Sequence, residues 1–291
     1  LDDASMLKAM ESLGREQVTL SIHCENADMI TSLTEELQAQ GRVKPGDYQD
    51  AHPLISELEA VQRVALMAYK TGARVHVVHC SCPEAVDVVS YYRSLGADLT
   101  VETCPHYLTL NEKDVERWGV YCICNPPIRD QSVQDELWKR VLEGKLDCIG
   151  TDHSAYLHTE KGKDNIFKTP AGITAMQLCY PLFFDEAVNK RGMSVEQFVS
   201  MSSTAAAKRY DIYPKKGLID VGADADVVIF DPKAQWVVEN KKLFYLEKWT
   251  PHVGRTVTGR VDETIVRGKS VYRDGEILAE GGYGCFVPAL R

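Results

Sequence analysis

The sequence predicts an α/β fold of parallel βα units followed by a small β domain, and three observations lead there. Through roughly the first two hundred residues, short β-rich runs alternate with longer amphipathic stretches, the signature of strands joined by helical crossovers. From about Pro214 the pattern changes to alternating runs separated by turn dipeptides, Arg267-Gly268 and Asp274-Gly275 among them, which predicts hairpins. The composition is that of an ordinary globular chain, with 291 residues, 44% hydrophobic and 26% charged, and 12 Pro and 20 Gly. It excludes disorder as the main state.

Four strands are expected, over residues 18–23, 74–79, 98–103 and 147–152, each rich in β-branched or apolar residues. Between them, residues 54–70 place Leu54, Leu58, Val61, Ala65 and Met67 at a period near 3.6 with charges between, which predicts a helix. Residues 84–95 and 131–142 have the same character. Residues 156–170 mix charges without periodicity, which predicts a surface loop long enough to serve as a lid, with Lys161, Lys163 and Lys168 as a solvated charged face. A further helix is expected over about 173–190. The turn Gly222-Ala-Asp-Ala-Asp226 then precedes a strand beginning at Val227. The predicted division is a barrel-type domain over 1–213 and a small β domain over 214–291.

Charge and cysteine usage narrow the function classes. Lys plus Arg is 33 and Asp plus Glu 42, a net charge of −9, the wrong sign for a binder of phosphate backbones; no nucleic-acid partner is expected. The most apolar stretch, 173–184, is interrupted by Thr174, Gln177 and Pro181 and falls short of the roughly 20 residues that a membrane span needs. Nine dispersed cysteines without a Cys-x-x-Cys pair predict reduced thiols and a cytoplasmic location. No charged-then-apolar signal segment opens the chain, and the first residue is Leu1, so its start is expected not to be the native one.

Three expected strands end in metal-ligating side chains: His23, His79 and Asp152. A lone strand histidine is usually a hydrogen-bonded core residue. Three coincident strand ends point instead to a site at the C-terminal face of an α/β barrel, where ligands from several strands converge. Alternation then puts Ser21 and Thr19 inside with His23, leaves Leu20 and Ile22 to the helix layer, and puts Val75, Val77 and His79 inside. His76 and His153 have the opposite parity and are expected to be structural. His106 is placed either near the mouth or in a plain loop, and Cys80 and Cys82 are read as packing. Asn125 lies in a Pro-Pro turn, where a backbone group meets a ligand or the turn is merely a turn. A carboxylate with two imidazoles suits zinc, manganese or a similar divalent ion, which makes water nucleophilic near neutral pH; hydrolysis is the expected chemistry. A structural zinc site fits less well, because its four ligands usually lie at close spacing rather than on separate strands.

The segments His23-Cys-Glu-Asn26, Val78-His-Cys-Ser81, Glu102-Thr-Cys-Pro-His-Tyr107, Cys124-Asn-Pro-Pro-Ile-Arg129 and Gly150-Thr-Asp-His-Ser154 follow one another in order. Together they resemble the cyclic amidohydrolases (allantoinase, hydantoinase and dihydropyrimidinase), and the tail from Tyr213 through Pro232 and Thr250 to Arg255 agrees. The resemblance covers nearly the whole chain. It implies a TIM (β/α)8-type barrel, of which this chain carries strands five to eight, with a small β-sandwich domain. It also implies two divalent metal ions, zinc first with manganese, cobalt or iron as alternatives, bridged by a carbamylated lysine and a hydroxide that attacks the ring carbonyl. By motif, His23 and His79 bind one metal, Asp152 binds the other and shuttles the proton, and Asn125 and the backbone at Ala171 hold the cyclic amide or ureide. A homo-oligomer, tetramer or dimer, is implied as well.

The family's first-strand His-x-His and its bridging lysine have no counterpart in the chain. About the first third of a complete enzyme is therefore expected to lie outside it, since four βα units make half of an eight-stranded barrel and leave an unpaired edge. Residues 167–176 lack the Pro-Asn-Gly of dihydropyrimidinases and many hydantoinases, and Pro-Pro-Ile-Arg leans towards allantoinases. The expected reaction is opening of allantoin to allantoate, with hydantoins or dihydropyrimidines as the alternative substrates and a non-catalytic dihydropyrimidinase-like scaffold as the rival from another class.

Overall fold

The computed structural model describes residues 2–162 and 164–290. They form two compact units, one of residues 1–179 with 239–253 and the other of 180–238 with 254–291.

In the first unit the order is α1 (Asp3–Arg15), β1 (Thr19–Ile22), α2 (Ala27–Ala39), α3 (Tyr48–Ala51), α4 (Leu54–Thr71), β2 (Arg74–Val77), α5 (Pro83–Ser94) and β3 (Leu99–Thr103). Then come α6 (Pro105–Thr109), α7 (Glu112–Trp118), α8 (Gln131–Leu142), β4 (Cys148–Ile149) and α9 (His158–Lys161). The four strands form one parallel sheet in the order β1-β2-β3-β4. Sequential parallel neighbours joined by helical crossovers are the arrangement of half a TIM barrel. The helices expected over 54–70, 84–95 and 131–142 form as α4, α5 and α8, while α1 and α2 are additional to the expectation, and several of the ends have local reasons. Asp2 and Asn26 cap the N-termini of α1 and α2 by accepting from the Ser5 and Met29 N–H groups, and α4 stops at Gly72 in the left-handed region.

The sheet register corrects the expected facing of β2. Leu20 lies beside Val75 and Val75 beside Leu99, while Ile22 lies beside Val77 and Val77 beside Val101. Laterally adjacent residues of parallel strands point to the same side, so if Leu20 and Ile22 face the helices, Val75 and Val77 do too. Val75 and Val101 are 0% exposed and Val77 1%, and each burial of this kind is worth about 1.5–3 kcal/mol. The other face carries Ser21, His76 and Thr100 side by side. His76 therefore lies on the polar face, not in the helix layer. The strands are also shorter than expected: His23, His79 and Asp152 sit one, two and three residues beyond the ends of β1, β2 and β4, where strand alternation no longer dictates direction.

The expected lid segment is more structured than its composition suggests. It holds α9 and a single 3-10 turn over Ile166–Lys168, and both Ile166 and Lys161 are buried. Lys161 is thus not part of a solvated face, whereas Lys168 is exposed; Lys163 lies outside the described residues. The helix expected from residue 173 starts later, at α10 (Cys179–Phe184), because Ile173 is drawn into a β-bridge with His153.

In the second unit, α11 (Val195–Val199) and α12 (Ala205–Arg209) precede an antiparallel sheet in the order β5 (Val227–Val237), β6 (Thr256–Val266), β7 (Lys269–Arg273) and β8 (Glu276–Ile277). The β6–β7 and β7–β8 turns are the predicted Arg267-Gly268 and Asp274-Gly275, all four residues at positive φ, as two-residue hairpin loops require. Phe184 packs against Phe198 and Phe230 in this unit's core. Among the described residues no helix is long and apolar enough to cross a membrane.

Candidate functional site

His23 and His79 are brought together just past neighbouring strands. His23 Nδ1 lies 3.2 Å from His79 Nε2, and the rings meet edge to face at 4.9 Å between centroids. Two imidazole lone pairs at this distance repel unless a proton or a cation sits between them. The separation matches two nitrogens on one tetrahedral ion, whose edge is about 3.3 Å when each metal–nitrogen bond is about 2.0–2.1 Å. The donor pair therefore fits a divalent cation of the zinc type.

A carboxylate stands on the far side of the His23 ring. His23 Nε2 is 3.2 Å from Glu25 Oε2, and Glu25 Oε1 is 2.9 Å from His52 Nδ1. A carboxylate on the far nitrogen fixes tautomer and ring orientation and leaves the near nitrogen free to bind. Burial opposes the Glu25 charge, but the hydrogen bonds from His23 and His52 outweigh it and bring the carboxyl down to about 2. In return Glu25 raises His23 above the ordinary imidazole value, against the pull of burial. His79 moves the other way, lowered by burial, and so presents a neutral, lone-pair-bearing ring.

His79 and Asp152 share an uncommon backbone, with φ of 40° and 41°. Non-glycine residues in this region cost of order 1–3 kcal/mol and persist only where their surroundings hold them. At His79 the hold comes from Glu102. Its Oε1 accepts the His79 N–H at 3.4 Å and its carbonyl accepts the Cys80 N–H at 2.8 Å. Glu102 also explains Gly150, where an added Cβ would stand 2.3 Å from Oε1. The charge of Asp152 acts on both His79 and His23. Burial raises the Asp152 carboxyl above the usual carboxylate range, and the charge of Glu102 adds to the rise.

Asn125 and Ala171 meet at a common neighbour. Tyr48 donates its hydroxyl to Asn125 Oδ1 at 2.7 Å, and Ala171 packs on the cluster of Tyr48, Ile123 and Ile166. The Tyr48 ring is stacked on His52, so this patch adjoins the end of the chain of contacts that runs through Glu25 to His23.

The remaining histidines do other work. His76 bonds Thr100 and lies 3.2 Å from Glu102 Oε2, with Cys148 within 4.8 Å; the three could chelate an ion, but their polar atoms already pair with one another. His153 Nδ1 accepts from the N–H groups of Ala175 and Met176. His106 is buried on α6, and burial lowers it to about 3. Cys80 and Cys82 are buried packing residues. Sequence reasoning missed Glu25, Tyr48, His52 and Glu102. Glu25 and Glu102 stand inside the motifs quoted above; Glu25 follows closely on His23, whereas Glu102 carried no signal beyond its place in the motif.

The chain matches the amidohydrolase family over residues 1–271. It belongs to that family. Members are generally binuclear metal enzymes. Among the chain's relatives, the allantoinases of Salmonella newport (strain SL254) and Salmonella enteritidis PT4 (strain P125109) are each 40% identical over 272 residues, covering 94% of this chain and 60% of the relative. Among solved structures, an L-hydantoinase (dihydropyrimidinase) from Arthrobacter aurescens superposes with a TM-score of 0.96 at 31% identity, covering 99% of this chain and 64% of that one. A D-hydantoinase (dihydropyrimidinase) from Thermus sp. gives 0.94 at 31%, again over 99% and 64%. The chain thus spans about 60% of the length of the curated relatives it matches.

Proposed function

We propose that the chain supplies part of the active site of a metal-dependent hydrolase that opens the C–N bond of a cyclic amide or ureide, with allantoin as the substrate. The observation that carries this reading is the His23–His79 nitrogen pair beside the charge of Asp152. In this reading His23 and His79 hold one divalent cation, zinc first, and Asp152 belongs to the second of the pair. Such a cation lowers the pKa of water towards neutrality and polarises the ring carbonyl. Asp152, whose carboxyl burial makes more basic, takes the proton from the attacking water and returns it to the leaving ring nitrogen. Asn125 and the Ala171 backbone orient the ring. Residues 1–213 are the barrel part and 214–291 the β domain, in a homo-oligomer of a reducing, cytoplasmic compartment that keeps the eight buried cysteines as thiols.

Allantoin is favoured over hydantoins because allantoinases stand among the curated relatives at 40% identity, and because residues 167–176 lack Pro-Asn-Gly. The test is turnover of allantoin, hydantoin and dihydrouracil by the full-length, metal-loaded protein. Allantoin cleaved fastest is the expected result, and preference for another ring would reassign the substrate. Inertness towards all three, with metal bound, would leave the scaffold reading. Glu25→Gln should weaken metal binding about 10- to 100-fold, as loss of an outer-shell carboxylate does; competition with a chelator measures this, and an unchanged affinity would remove Glu25 from the site.

A further inference from the structure

Among the described residues, Lys161 is a buried cation with no carboxylate among its partners. Its Nζ donates to three backbone carbonyls, those of Val120 at 3.2 Å, Pro170 at 2.9 Å and Gly172 at 2.7 Å. It also lies 5.5 Å from the ring centre of Tyr156 and 5.6 Å from that of Trp249, a cage of carbonyl oxygens and aromatic faces suited to a cation. Burial lowers the ammonium to about 8, so it remains mostly charged at neutral pH. An exposed lysine would cost nothing to keep; one that is 0% exposed must be held by what it organises.

What it organises is the segment on either side of Ala171. Pro170 and Gly172 both turn their carbonyls to one nitrogen, and the Gly172 N–H is taken by the Ile123 carbonyl at 2.7 Å. Gly172 admits no side chain, since a Cβ would stand 2.6 Å from Ser154 and 2.8 Å from the Tyr156 ring. The Ala171 carbonyl shares a trans peptide with the Gly172 N–H and so points the opposite way from it. With that N–H held on the Ile123 carbonyl and the carbonyls on either side held on Lys161, the Ala171 carbonyl is directed away from Ile123.

We propose that Lys161 is a positioning residue: it acts through the 170–172 backbone to aim the Ala171 peptide at the ring N–H of the substrate. The inference rests on the functional reading above and adds the residue that sets substrate affinity there. It touches no reacting atom, so its loss should weaken binding more than chemistry.

The test uses the full-length, metal-loaded protein and begins with the wild type, whose failure to open any cyclic amide would sink the functional reading itself. Given turnover, Lys161→Ala and Lys161→Met should raise KM about tenfold or more while kcat changes much less, with circular dichroism and metal content unchanged. Propylammonium, which replaces the atoms missing from the Ala variant, should restore KM saturably; propanol, of the same shape without the charge, should not. A KM close to that of the wild type in the Ala variant, or a raised KM that propylammonium leaves where it is, would overturn the role of Lys161 while leaving the hydrolase reading intact. A fall in kcat matching the rise in KM would also overturn it, by making Lys161 a general prop of the site.

Discussion

Asp152→Asn is expected to keep its fold and lose roughly two to four orders of magnitude in kcat, the usual worth of a positioned acid-base group. Asparagine has the same shape and tolerates positive φ better than most residues, so the backbone at φ 41° should survive the change. In the proposed mechanism the amide cannot carry the proton between water and leaving nitrogen, and it removes the charge that the carboxylate would offer a metal. Steady-state kinetics on the full-length protein, beside circular dichroism and metal content, make the check. Rates near those of the wild type would take Asp152 out of the mechanism.

Arg129→Met is expected to have the largest effect on stability, about 3–5 kcal/mol, because it strands a buried carboxylate. Glu57 is 1% exposed and Arg129 6%. Glu57 Oε1 accepts the Ser81 and Cys82 N–H groups at 2.7 and 3.1 Å, and Oε2 takes the Ser81 hydroxyl at 2.5 Å and Arg129 Nη2 at 3.0 Å. Arg129 also donates to Ser81 Oγ at 2.9 Å and to the His52 carbonyl at 2.5 Å. The network therefore ties α4 to the turn after His79 and to the residue that orients Glu25. Urea unfolding should show the loss, and metal affinity should fall with it. The double variant Glu57→Gln/Arg129→Met should be less destabilised than the Arg129 variant alone, since no unpaired charge remains. A loss below about 1 kcal/mol in the single variant would mean that the pair behaves like an exposed one.

Much of the fold was legible because its signals are local. The 3.6-residue period of α4, the β-branched runs and the two Xaa-Gly hairpin turns each depend on neighbours within a few residues. The candidate site residues were legible for the same reason: His23, His79 and Asp152 follow closely on apolar runs. The Pro-Pro turn marked Asn125, although not the Tyr48 hydroxyl that binds it.

The sequence by itself determined the class of the chain, the order of its parallel βα units, the hairpins of the tail and the kind of chemistry that two histidines and an aspartate can support. Only the tertiary structure decided which way those groups face. His76 went to the polar face because lateral register sets the side a strand residue takes, and register is a relation between segments. Lys161 looked like a surface charge until carbonyls 9, 11 and 41 residues away closed on it. Glu57 and Arg129, 72 residues apart, became one network because burying either charge alone costs more than burying the pair. Pairings of that range leave no periodic trace in a single sequence, so the supports of the site emerge only when the chain is folded.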